Sequence, residues 1–551
     1  MSEHGQGATP GEPPAVPASA AATPPAPGST PPAKIPWMGL LAVLLGTFIS
    51  TLNTRLSSYG LADIRGAVHA GFDEGAWITT AQTVGQMLIA PVALWMGAAY
   101  GPRRSLMGAA TAFAFISLIE PFSPNLHTLL VLQFASGLTT GFFVPLTLGF
   151  VLRNMPPKVW AYGIALYALN LEVSLNVSAS LEGWYVENLS WQWIFWQNVP
   201  LALGMALCLR FGVSPEPPVA NKPHADFYGL ASGGIGLALI YAALDQGNRL
   251  DWANSGLIWA LASAGVVLLA GFFVHEARSP YAAVNLKVVF TAPLPRLLLL
   301  IAFLRLTILS TAYAIPQFLG VVRSYRALQV GDSLLWIAVP QLMVCLLAGY
   351  LLRRMDPRLV ASVGFLFICS ACLMVAHGLT PQWGTDQFIP SQLLQSVGQS
   401  LALSGTVFFS ILHLRPQDAL TFGATVQMAR LMGGEIGTAF IATLIRVRGQ
   451  VASNHLGQHV LIGDGQAIQR MQAYAAATAH AGTPATAAAR GAGVLGSVVH
   501  SMAVTQGIID AFVVIAGMTA FTLIIIVTRR AAPLGPASHR SPLAPRDAVS
   551  Q

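Results

Sequence analysis

Charge is scarce in this sequence. Only 9% of its 551 residues are Asp, Glu, Lys or Arg and 54% are hydrophobic, whereas soluble globular proteins carry roughly a quarter charged residues. A soluble fold is thereby excluded. Cysteine is limited to Cys208, Cys345, Cys369 and Cys372, all inside apolar runs. Cys369 and Cys372 form a C-x-x-C within "FLFICSACLMVAH". No suitable His or carboxylate accompanies it for a metal, and no βαβ context suits redox chemistry, so these thiols read as small helix-packing residues. Phosphate-cradling G-x-x-x-x-G-K-[ST], His/Glu metal spacing and nucleophile elbows are missing as well. The chain is therefore expected to be no enzyme and to need no cofactor or metal, and anything it moves must be driven by an ion gradient.

What is present is a series of apolar runs, each long enough to cross a hydrocarbon core of about 30 Å as a helix. Windows of about nineteen residues place spans at 37–59, 75–99, 104–123, 126–152, 159–185, 193–213, 226–246, 256–275, 295–320, 331–353, 358–378, 388–414, 424–446 and 502–528. The expectation is an all-α polytopic membrane protein of fourteen spans, with both termini on one side. Lys and Arg decide which side. They collect in the even-numbered loops and tails (Lys34, Arg103, Arg104, Arg153, Lys158, Arg210, Lys222, Arg278, Lys287, Arg353, Arg354, Arg358, Arg415, Arg529, Arg530, Arg540 and Arg546 among them), which makes both termini cytoplasmic. Topology thus explains the net charge of +7 better than a nucleic-acid partner does. Residues 1–36, rich in Pro and Ala, read as a disordered cytoplasmic tail, and 529–551 as a second one. The only long insertion is the outer loop 447–501, Ala-rich and helix-prone, broken by Gly482 and Pro484; it reads as a floppy connector, or as a cover for the outer mouth or a contact for a partner.

Four segments carry a family resemblance: "LWMGAAYGPRRSLMG" after the second span, "SWQWIFWQNVPLALG" opening the sixth, "LDQGNRLDWANSGLIW" after the seventh and "QMARLMGGEIGTAF" in the thirteenth. Their order resembles the fourteen-span drug/proton antiporters of the major facilitator superfamily, from about Trp37 to Arg530. The resemblance implies a 6+2+6 architecture: an N-terminal six-helix bundle at 37–213, two linking helices at 214–294 and a C-terminal bundle at 295–528. It also implies a midplane substrate site between rocking bundles. The family's motifs are degenerate here. Aligned on Gly101, its gating-loop Asp and Arg are Ala98 and Ala99, with Arg103 and Arg104 retained but displaced. Its fourth-span Arg is Gln133, its fifth-span Gly-Pro run is "SASLEG" with Glu182 in place of a Gly, and its first-span Asp is Asn53.

Ionisable residues reappear elsewhere in the apolar runs: Arg55, Glu172, Arg305, Arg430, Glu435 and Asp510. Such residues are functional-site candidates by default. In the implied fold, spans one and five are neighbours, and spans nine and thirteen are their counterparts. Arg55–Glu172 and Arg305–Glu435 are therefore expected to be two related pairs, serving either proton coupling or fixed helix packing. Glu172 is the better proton candidate, since a carboxylate balanced between burial and a nearby arginine can load and release a proton; Asp510 reads as interfacial. Asn53, Gln133, Asn170 and Asn176 are candidate hydrogen-bonding groups of the substrate cavity, with Phe142, Phe143 and Tyr313 as its aromatic surface. Ordinary helix packing is the competing role for each. The functional expectation is a bacterial inner-membrane exporter of lipophilic or amphipathic small molecules coupled to protons. Its arginines argue against presuming a cationic drug. A periplasmic adaptor and an outer-membrane channel are candidate partners beside the bilayer. The alternatives are a metabolite or siderophore-like transporter of the same fold and a non-transporting receptor or scaffold.

Overall fold

The computed structural model describes residues 37–147, 160–213, 226–279, 294–413, 419–461, 465–477 and 484–529. The tails 1–36 and 530–551, and with them Lys34, Arg530, Arg540 and Arg546, lie outside the described residues, as do Arg153, Lys158, Lys222, Lys287 and Arg415. Regular structure among the described residues is helical. We number the long helices α1 Trp37–Tyr59, α2 Trp77–Tyr100, α3 Pro102–Ile119, α4 Leu126–Thr140, α5 Trp160–Asn188, α6 Asn198–Gly212, α7 Phe227–Gly247 and α8 Gly256–Arg278. They continue as α9 Leu294–Thr307, α10 Ala327–Arg354, α11 Pro357–Gly378, α12 Thr385–Leu412, α13 Ala419–Leu461 and α14 Pro484–Val527.

Thirteen of the helical segments among the described residues have the length and apolarity to cross a membrane. The expected span 388–414 is not among them. α12 has 28 residues, but Gln392, Gln395, Ser396, Gln399 and Ser400 dilute its apolar content, and all five are buried. Their neighbour is α9, which does not run straight. It passes through a wide π-type turn at Ser310–Ala314 before resuming at Ile315–Val321. Gln395 Nε2 donates to Ser310 Oγ at 3.1 Å and Gln399 Nε2 to Thr311 Oγ1 at 2.8 Å. α12 is less apolar because it faces a polar turn inside the protein and not lipid.

The described residues of the expected outer loop 447–501 are helical, as its helix-prone composition allows. α13 runs for 43 residues and α14 for 44, about 65 Å each at ~1.5 Å per residue, so both outlast a hydrocarbon core of about 30 Å. Between them the helix Gly465–Ala477 lies along α14, with Met471 and Ala475 against Gly491. An Ala-rich sequence pays little entropy to be helical, and Pro484 stands at a helix start, where its missing N–H costs nothing.

The two expected neighbour pairs are present, α1 with α5 and α9 with α13; α1 also packs on α6, α9 on α14, and α5 on α10 and α12. α7 is not peripheral, because it packs against both α2 and α13. The turn that follows explains its position. Asp251 and Trp252 adopt positive φ, 59° and 47°. Trp252 Nε1 donates to Thr443 Oγ1 of α13 at 3.0 Å, and Asp251 pairs with Arg446 at 3.0 Å. The "LDWANSG" segment is thus a clasp onto α13. α8 touches mainly α7 and leaves Trp259, Val266 and Val267 exposed, as a helix against lipid does. At the other end of α2, Gly101 (φ 86°) makes the turn into α3. There Arg103 donates from Nε to Leu209 O at 3.1 Å and from Nη2 to Arg210 O at 3.0 Å. It caps the free carbonyls of α6, while Arg104 is exposed.

Candidate functional site

A cavity of about 320 Å³ lies where α1, α2, α7, α9 and α13 converge. Its polar wall is built from Thr54 and Arg55 (α1), Thr83 and Gln86 (α2), Tyr241 and Asp245 (α7), Arg305 and Tyr313 (α9 and its wide turn), and Arg430 and Glu435 (α13). Three guanidinium groups and two carboxylates therefore share one hollow. None of the five is in an ion pair among the described residues; the pairs present there are Arg249–Asp73, His275–Asp226, Arg358–Asp356, Arg446–Asp251 and Arg448–Asp510. The last two place Arg446 and Arg448 on neighbours outside the cavity and give Asp510 an arginine partner at 2.5 Å.

Local sequence explains how Arg55 is aimed. Pro316 has no N–H, so the carbonyl four residues earlier, Ala312 O, loses its helical donor. Arg55 Nη1 supplies one at 3.3 Å. This contact spans the chain from the first helix to the ninth. Asp245 accepts from Thr80 Oγ1 and from Gln246 Nε2, the latter at 3.0 Å. Glu435 sits beside the Tyr241 hydroxyl and within electrostatic reach of Asp245 and Arg55; its Oε1 is buried without a hydrogen bond. The Nε atoms of Arg305 and Arg430 are likewise buried and unpartnered.

Glu172 is fully buried but is absent from the cavity wall. Its Oε2 accepts from Gln341 Nε2 of α10 at 2.9 Å and from Ser400 Oγ of α12 at 3.4 Å. Asn176, one turn on, donates to Gln341 Oε1 at 3.3 Å. The expected Arg55–Glu172 and Arg305–Glu435 contacts are accordingly not formed. α5 turns Glu172 toward α10 and α12, while α1 turns Arg55 toward the break in α9. The charges act crosswise instead, Arg305 on Glu172 and Arg55 on Glu435.

Of the residues expected to contact substrate, Tyr313 lines the cavity. Asn53 is bonded to Ser136 and Asn198, at 3.3 and 2.6 Å. Asn170 donates to Leu44 O and Thr47 Oγ1, both at 2.5 Å, fastening α5 to α1. Gln133, Phe142 and Phe143 are buried away from the cavity, Phe143 edge-on to Phe113. Side-chain type did not reveal which way these residues face. Asp245 and Tyr241 were missed, although an acid within the apolar run "LALIYAALDQG" was a readable signal.

A bundle of membrane-length helices around a charged internal cavity is the architecture of a solute transporter. A family model described as the Major Facilitator Superfamily matches residues 43–441, well over half of the chain. The chain belongs to that superfamily. It is 23% identical over 430 residues to the multidrug export protein EmrB of Haemophilus influenzae, covering 76% of this chain and 82% of that protein. It is 22% identical over 436 residues to the fatty acid resistance protein FarB of Neisseria gonorrhoeae, covering 78% and 84%. A solved structure of the human organic anion transporter MFSD10 (TETRAN) superposes with a TM-score of 0.56 at 14% identity, over 90% of this chain and 100% of that one. At such identity the likeness concerns the fold.

Proposed function

We propose that this protein is a proton-coupled exporter of amphipathic small molecules, with the α1/α2/α7/α9/α13 cavity as its substrate site. The observation that carries the reading is the set of three arginines and two carboxylates around one cavity without ion pairs among them. Unpaired charge inside a membrane protein is costly and is kept where a ligand or an ion completes it. An acidic group on the solute would meet Arg55, Arg305 and Arg430; its apolar part would lie against Leu175, Leu309 and Leu431. An acidic amphiphile fits better than a cationic drug. The names of the relatives, multidrug export for one and fatty acid resistance for another, agree with an exporter of such solutes.

The working cycle follows from the same residues. Bundles 37–213 and 295–528 rock about the cavity, the inner membrane is the setting, both termini are cytoplasmic and the span count is fourteen. Glu435 and Asp245 lie within electrostatic reach of one another, so protons and an anionic solute bind interdependently. Glu172 holds the two bundles together through Gln341 and Ser400, and its protonation weakens that hold. A periplasmic adaptor and an outer-membrane channel would extend the route. In proteoliposomes with an imposed pH gradient, wild type should accumulate an acidic amphiphile while Glu435→Gln and Glu172→Gln retain only downhill exchange. Unchanged proton dependence in both variants contradicts the coupling.

A further inference from the structure

A second hollow lies away from the transport cavity, where α9 begins and α12 and α14 end. It has a volume of about 350 Å³ and is lined by Arg296, Leu297 and Leu300 of α9, Phe409 and the C-cap His413 of α12, and Thr528 and Arg529 just past α14. Every charged group on that wall is basic. His413 sits edge-on to Phe409, with 4.5 Å between ring centroids. Its Nδ1 lies 2.8 Å from Phe409 O; a carbonyl only accepts, so Nδ1 carries the proton and Nε2 remains uncommitted.

The proposed topology makes this the cytoplasmic side, where an excess of arginine is ordinary. Their occupations differ, however. Arg103 caps α6. Arg353 lies over the Tyr162 ring at 5.5 Å and Arg354 over the Tyr350 ring at 4.7 Å. Arg358 donates to Arg529 O, which pins the end of α14 beside the hollow, and it pairs with Asp356 at 3.7 Å. Arg296 and Arg529 have no ion pair, ring contact or side-chain hydrogen bond among the described residues. Both guanidinium groups are open to an anion.

The rest of the wall narrows the kind of anion. Leu297, Leu300 and Phe409 put apolar surface in the same hollow, so it suits an anion carried on an apolar body. Phe521 and Ile524, seven and four residues before Thr528, share its face of α14 and are exposed at 52% and 61%. Phe303 of α9 meets Phe521 edge-on at 5.6 Å. Apolar helix surface therefore leads away from the hollow. Its volume, near the low end of the ~300–1,000 Å³ of small-molecule sites, admits a headgroup and leaves acyl chains outside. We propose that this hollow binds the headgroup of an anionic phospholipid, with Arg296 and Arg529 on the phosphate and the acyl chains along Ile524 and Phe521. Guanidinium groups bond phosphate oxygens bidentately, so the lipid ties the ends of α9, α12 and α14 together. A zwitterionic lipid offers the same phosphate but brings an ammonium to a wall that holds no carboxylate. This site is separate from the transport cavity, and its test needs no transported solute.

The test uses the purified full-length chain in detergent. Thermal unfolding is followed as the micelles are titrated with phosphatidylglycerol, with phosphatidylcholine of the same acyl chains, or with soluble glycerol 3-phosphate, and retained lipid is counted by native mass spectrometry. We expect a saturable rise in melting temperature, with lipid retained, for phosphatidylglycerol alone. Combining Arg296→Gln with Arg529→Gln should weaken that binding about 30-fold, each arginine at a membrane surface being worth about fivefold. Arg354→Gln, which removes an exposed charge from the same side, should keep wild-type binding. If the double variant fails to fold, Arg296→Gln alone decides, at an exposed position and with a loss of about fivefold expected. Equal effects of the two lipids, binding that survives in the folded arginine variants, or an equal loss in Arg354→Gln overturns the assignment. Full reproduction by glycerol 3-phosphate also overturns it, as a site for free anions.

Discussion

The two places where helices from the opposite ends of the chain meet are built differently. Along α5 and α10 the seam is tight: a Cβ on Gly331 would come within 2.5 Å of Ser180 N, and Gln341 bridges Glu172 and Asn176. Around α1, α7, α9 and α13 the helices stand off from a cavity whose charges lack ion-pair partners. Two glutamates expected to play matching roles, Glu172 and Glu435, therefore differ. Each keeps one unpartnered oxygen, Oε1, but the other oxygen of Glu172 is bonded by α10 and α12 of the opposing helices, whereas Glu435 faces the cavity. Their place in the sequence is alike; what packs against them is not.

Breaking the seam should have the largest effect. Gly331→Leu forces side-chain atoms into the α5 backbone, and overpacking of this kind costs about 1–3 kcal/mol or more. A lowered melting temperature and loss of transport are expected, and wild-type values for both would show that the seam opens freely. Gln341→Leu should rank next. It strips the Glu172 carboxylate of its 2.9 Å bond, at about 1–3 kcal/mol, and the loss should shrink when combined with Glu172→Gln in a double-mutant cycle of melting temperatures.

Sharpening the cavity side needs a gentler change. Pro316→Ala restores an N–H to serve Ala312 O, so Arg55 loses its role there. Stability should hold or rise, while solute affinity measured by competition shifts a few-fold; unaltered affinity would detach Arg55 from the site. The smallest effect belongs to the clasp. Asp251, outside the spans, is held below the usual carboxylate range, first by the Asn254 side-chain hydrogen bond and then by Arg446. A depressed folded value means that its contribution is complete above the ordinary carboxylate range and is lost as pH falls through the lowered value. Asp251→Asn should therefore lower neutral-pH melting slightly, and the two chains should converge on the acid limb of a melting-temperature profile, below the lowered value.

Much of the fold was legible because apolar runs of membrane length leave one backbone solution, the helix. α1 begins and ends where the sequence placed it. α12 stood out less because its glutamines serve the wide turn of α9, a demand visible only once the two helices are packed. α13 and α14 ran on because Ala-rich sequence stays helical beyond the lipid. At the cavity, charge in an apolar run pointed to Arg55, Arg305, Arg430 and Glu435, which line it, and also to Glu172 and Asp510, which do not. Facing was not legible, so Asn53 and Asn170 fasten helices and Glu172 lies in the seam. Asp245 was hidden within a stretch that read as a family signature.

The central claim is that the cavity is exposed alternately to the two sides of the membrane. Its most direct test replaces the four native cysteines, introduces Tyr313→Cys, and measures labelling by a membrane-impermeant thiol reagent in oriented vesicles as the pH gradient is reversed. The account predicts labelling from either face, with the favoured face exchanging when the gradient does. Labelling confined to one face whatever the gradient would contradict it.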